Sequence, residues 1–184
     1  MMNTPAVRAM LLRLALLSAL LAGTVLPQQA AAVEVSTTAR LLPSGEGIEL
    51  EYRSEGETWT DVIPIYQGGQ GGETQGAIRY FSAGVGMAER QAKYPPFPLK
   101  IVLTAGTKPY AAHADVHIVE VGGDRTLSIP SDRVHGPWLF VDLPPGTYDI
   151  TGNRGPSTAT LRRVTISAGG EHVVYLRFPE EPDS

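Results

Sequence analysis

The chain has 184 residues, a formal net charge of −4 and no cysteine. That composition excludes thiol catalysis, disulfide exchange and cysteine-ligated zinc, so the fold must rest on its hydrophobic core alone. No clustered basic face of the kind nucleic-acid binding requires is present, and no nucleic-acid partner is expected.

Residues 1–32 read as an export signal. Arg8 and Arg13 supply a basic start, Leu14 to Leu26 an apolar stretch, and Ala30-Ala31-Ala32 the small side chains of a cleavage site. The apolar stretch is shorter than the ~20 residues of a bilayer span, and Pro27 ends it. Cleavage after Ala32, a periplasmic or secreted location and no stable membrane span after cleavage follow as expectations. The remaining chain, from Val33, suits a single core.

Residues 33–75 form an acidic segment. Eight acidic residues face two basic ones there, a net −6, whereas residues 76–184 carry eleven of each sign. The acidic excess reads as a solvated surface that favours solubility. Within it, Ile48, Leu50 and Tyr52 alternate with Glu49, Glu51 and Arg53, and Thr58 to Tyr66 is a second extended stretch with Pro64 marking an edge. A hairpin across Ser54 to Glu57 is expected, packed lightly on the rest of the chain. The tract Gln67 to Gly76 has no apolar residue and reads as a glycine-rich linker.

Gly84 and Gly86 suggest a phosphate loop, but Glu89 stands where the third glycine would be and no Lys-Ser/Thr follows. Met87 to Lys93 has helix-forming composition and stops before Tyr94-Pro95-Pro96. Beyond it, seven strands are expected at Leu99–Thr104, Ala114–Val121, Thr126–Ile129, Trp138–Leu143, Thr147–Thr151, Thr158–Ser167 and Glu171–Phe178. The last strand is apolar on both faces and is expected to be covered on both, the N-terminal hairpin being one candidate cover.

Between the fourth and fifth of these lies Pro144-Pro145-Gly146. The prolines fix φ and remove donors, and Gly146 is expected to supply a positive φ for a tight turn. The run from Gly136 through Leu143-Pro-Pro-Gly-Thr-Tyr148 to Gly152 resembles the turn of carboxypeptidase-regulatory-like and adhesin B-type domains. With Tyr80 to Lys93 and Phe97 to Gly106, it is also similar to small exported proteobacterial proteins carrying this β-domain, over about residues 79–178. The resemblance implies an all-β fold for residues 76–184, a seven-stranded Greek-key, prealbumin-like β-sandwich. The N-terminal hairpin and one short helix would accompany it. It further implies a module that binds, spaces or displays.

The chemistry-bearing residues are few. His113, Asp115 and His117 would project from one strand face about 7 Å apart, a set suited to zinc or copper, although such a row is also ordinary wet sheet surface. His135 and His172 have no serine or carboxylate at motif spacing, and Ser82 lacks a nucleophile elbow. Transthyretin-like hydrolases share the architecture, but their terminal Tyr-Arg-Gly-Ser is replaced here by Leu176-Arg-Phe-Pro179. Lys100 has no asparagine in the last strand with which to form an isopeptide crosslink.

A non-catalytic exported binding or accessory module of the cell envelope is therefore the expected function, with no cofactor implied. One refinement is a carbohydrate-binding module with Tyr110, Trp138, Tyr148 and Tyr175 as a stacking platform. The others are a metal-binding protein using His113, Asp115 and His117, and a subunit docking to an envelope protein through the acidic segment. An envelope protein or a glycan is the expected partner.

Overall fold

Trp138 to Val141 shows how this chain makes sheet. Leu139 and Val141 are fully buried in one core, while Trp138 and Phe140, on the opposite face, belong to another. A strand places successive side chains on opposite faces, so this segment serves two layers at once. The computed structural model describes residues 37–54, 56–69, 76–107 and 110–179. The expected signal sequence and Gln70 to Gln75 of the tract lie outside them.

The described residues form an all-β structure of twelve strands, one short helix and a single 3-10 turn at Ser131–Arg133. In chain order the strands are β1 (Thr37–Leu41), β2 (Gly47–Ser54), β3 (Glu57–Pro64), β4 (Tyr66–Gly68) and β5 (Ile78–Ala83). Helix α1 (Met87–Gln91) follows, then β6 (Leu99–Ala105), β7 (Asp115–Glu120) and β8 (Thr126–Ile129). The last four are β9 (Trp138–Val141), β10 (Gly146–Arg154), β11 (Ser157–Ile166) and β12 (His172–Phe178). Strands β6 to β12 correspond to the seven expected from sequence. Strand β5, between β9 and β4 in its sheet, was not among them.

Three sheets result, in the orders β1-β2-β3, β11-β10-β7-β8 and β12-β6-β9-β5-β4. All pairings are antiparallel except β6 with β12. The four- and five-stranded sheets share one core. Leu99, Ile101, Leu103, Leu139 and Leu176 come from one side, and Val116, Ile118, Leu127 and Ile150 from the other. Each such side chain, fully buried, contributes about 1.5–3 kcal/mol of transfer free energy.

A second core lies on the outer face of the five-stranded sheet. Ile48, Ile63 and Ile65 from the N-terminal sheet region pack with Phe81 of β5, Phe140 of β9 and Phe97. Phe81 and Phe140 stack with centroids 4.6 Å apart and planes 7° from parallel, and Phe97 meets Phe81 edge-on at 5.0 Å. This corrects two expectations. The N-terminal segment does not pack lightly, since Ile48, Ile63 and Ile65 are buried in this core. Nor does it cover β12, whose Val173 and Tyr175 remain exposed, because it sits over β5 and β9. The tract does not begin as a linker either: Gln67 and Gly68 pair with Arg79 and Ile78 as part of the five-stranded sheet.

Candidate binding face

Outward residues of the five-stranded sheet fall into cross-strand rows. Tyr175 of β12 is opposite Val102 of β6, Val102 opposite Trp138 of β9, and Trp138 opposite Ala83 of β5. The neighbouring row runs Val173, Lys100, Phe140 and Phe81. The N-terminal sheet covers the Phe81–Phe140 end. The other end keeps Tyr175 at 49% exposure and Val173 at 47%, with Trp138 half-buried beside them. An aromatic and aliphatic strip thus reaches solvent on one half of this face.

Lys100 occupies the middle of the strip. Its Nζ lies 3.8 Å from the centre of the Trp138 ring and 5.1 Å from that of Phe140, a cation held over two π faces. Burial lowers the ammonium's pKa from its usual range, while the charge of Glu171 opposes that shift. Sequence reading weighed Lys100 only as a crosslinking residue. The alternation of Leu99, Ile101 and Leu103 places it on the outer face, but which ring it covers depends on sheet order.

Tyr110 is linked to the same region indirectly. It is 42% exposed, and the Arg90 guanidinium lies 4.8 Å from its ring centre. Arg90 Nε also donates to the Gly84 carbonyl at 2.8 Å, and a side chain at Gly84 would stand only 3.0 Å from the Trp138 ring. Glu89 holds the loop from inside, accepting the Gly84 and Val85 N–H groups at 2.6 and 3.0 Å. The glycines that suggested a phosphate loop therefore bind the helix to the sheet.

Tyr148 does not belong to the platform. It is 1% exposed, and its hydroxyl donates to the Pro144 carbonyl while accepting from Arg125 Nη1, both at 2.9 Å. Arg125 is itself buried and lies 3.2 Å from Glu120. Burial raises the Tyr148 pKa, partly offset by the Arg125 bond. This residue locks the Pro144-Pro145 turn onto β10. Gly146 opens β10, opposite Ile166, and does not take a left-handed φ. What the position requires is space, since a Cβ would lie 3.1 Å from the Tyr148 ring and from Glu120.

His113, Asp115 and His117 do not converge either. His113 precedes β7 and has φ 55, which breaks the alternation that would align it with the other two. Asp115 Oδ1 accepts the Ser131 N–H at 2.8 Å, and His117 Nδ1 bonds Ser128 Oγ at 3.0 Å across to β8. No group of three or more histidine, aspartate or glutamate side chains placed to hold a metal occurs among the described residues. His113 instead faces His135, with ring centroids 6.2 Å apart.

No protein-family model matches the chain, and no curated protein or solved structure matches it.

Proposed function

We propose that this protein is a non-catalytic binding module of the cell envelope, exported to the periplasm or beyond, that takes a saccharide on the strip around Trp138 and Tyr175. The observation that carries this reading is exposed Tyr175 and half-buried Trp138 in one cross-strand row on either side of buried Val102, flanked by Val173 and Lys100. Aromatic rings stack on the apolar faces of sugars, and the Tyr175 hydroxyl and Lys100 ammonium offer hydrogen bonds at the rim.

Support for a carboxypeptidase-regulatory-like, Greek-key sandwich comes from the turn motif together with two sheets packed over one core. Support for a binding rather than a catalytic role comes from where the titratable groups are engaged. Asp149 holds Arg162 and a backbone N–H, Asp115 holds Ser131, and His172 Nε2 accepts the Ser167 N–H. Each of these bonds fixes a turn or strand.

Glycan-array binding of the purified chain tests the reading, with Trp138→Ala and Tyr175→Ala beside it. Loss of a wild-type glycan signal in both variants is the expected outcome, with melting unchanged in Tyr175→Ala and lowered in Trp138→Ala, whose ring also packs on the second core. Absence of glycan binding by the wild type, together with a Trp138-dependent capture from envelope extract, would replace the sugar with a protein partner.

A further inference from the structure

We propose that His113 and His135 together hold a divalent transition-metal ion, copper(II) most tightly. Both imidazoles are exposed, so neither is committed to the core. Their centroids stand 6.2 Å apart with planes 81° to each other. A metal–nitrogen bond is about 2 Å and a ring nitrogen lies about 1.2 Å from its centroid, so two rings sharing one ion have centroids roughly 4.5–6.3 Å apart. The observed separation lies at the upper end of that reach, where the two nitrogens take nearly opposite positions on the ion.

The two backbones are fixed relative to one another. The His113 N–H donates to the Val134 carbonyl at 2.8 Å, and Val134, next to His135, is fully buried. His113 keeps φ 55, a conformation costly for a residue with a Cβ, and that turns its side chain out of the register of β7. Had it followed the strand, it would have joined Asp115 and His117 on the sheet face.

Neutral imidazole is a borderline-soft ligand suited to copper, nickel and zinc, and among first-row divalent ions copper binds such nitrogen sites most tightly. Two protein ligands leave the remaining coordination positions to solvent. The geometry therefore describes an open, exchangeable ion site.

The test is titration of untagged full-length protein with copper(II) sulfate, followed by calorimetry and electron paramagnetic resonance, with zinc(II) in parallel. The expected result is one equivalent of copper with nitrogen hyperfine coupling and weaker zinc. His113→Asn, which tolerates the left-handed backbone, and His135→Ala should each weaken copper by about tenfold or more. His117→Ala and His172→Ala should leave it unchanged. Copper uptake by the His113→Asn/His135→Ala double variant equal to wild type would overturn the proposal, as binding at the chain's amino terminus would produce. So would a wild type that takes no copper.

Discussion

Ser82 and Gly136 meet through both backbone groups of the glycine. The Gly136 N–H donates to Ser82 Oγ at 2.8 Å, and the same hydroxyl donates to the Gly136 carbonyl at 3.1 Å. Both residues are buried, and a Cβ at Gly136 would stand 2.2 Å from the Ala83 carbonyl oxygen. This contact joins β5 to the start of β9 and so sets Trp138 opposite Ala83. Gly136→Ala should cost about 3 kcal/mol or more, because the clash is with backbone and not with a side chain that can turn away. Ser82→Ala should cost about 1–3 kcal/mol by leaving a buried N–H without its acceptor. Denaturant midpoints of the two variants check the order.

Asp149 sustains a second irregularity. Its Oδ1 accepts the Arg163 N–H at 2.8 Å and Oδ2 the Arg162 guanidinium at 2.8 Å, beside a register shift between β10 and β11. Arg163 there has φ 55. The Arg163 backbone N–H, then the Arg162 guanidinium, holds the Asp149 pKa below the ordinary carboxylate value. A depressed folded pKa contributes stability above the unfolded value of about 3.9 and loses it as pH falls through the folded one. Asp149→Asn should therefore melt lower than wild type at neutral pH, with the gap closing below about pH 4. Arg163→Gly should melt at or slightly above wild type, since glycine accepts this φ without strain.

Tyr148→Phe should destabilise the protein by about 1–3 kcal/mol, because Arg125 Nη1 and the Pro144 carbonyl lose the same partner. Gly146→Val should cost about 1–3 kcal/mol through crowding against Tyr148 and Glu120. A Gly146→Ala variant separates crowding from backbone strain: it should be the milder of the two, as fewer added atoms meet the ring.

Removing the N-terminal sheet should unfold or aggregate the remainder. A chain beginning at Gly76 lacks Ile48, Ile63 and Ile65, uncovering the stacked Phe81 and Phe140, and lacks Tyr66, which packs on Tyr80 at 5.6 Å. Ile48→Ala, at a fully buried site, should cost about 2–4 kcal/mol in the otherwise whole protein. A truncated protein that melts cooperatively within a few degrees of wild type would show the second core to be dispensable.

By itself the sequence determined the strands from β6 to β12, since each is a short run rich in apolar, β-branched or aromatic residues between turn residues, and that is a local property. Leu139 and Val141 facing inward, with Trp138 outward, were legible from period-2 alternation. Strand β5 was obscured because Phe81 and Ala83 are buried on the outer face as well, so Ile78 to Ala83 shows no polar side to alternate with. Only the tertiary structure decided which outward residues meet solvent. Phe140 is sealed by Ile48, Ile63 and Ile65 from a sheet distant in sequence, whereas Tyr175, no less apolar in pattern, is left open at the sheet's edge. Tyr148 shows the same limit: a tyrosine beside a turn reads as a surface ring until Arg125, from another strand pair, is found bonded to its hydroxyl. Pairing of His113 with His135 depends on one left-handed residue and one long-range backbone bond, and neither leaves a periodic trace in the chain.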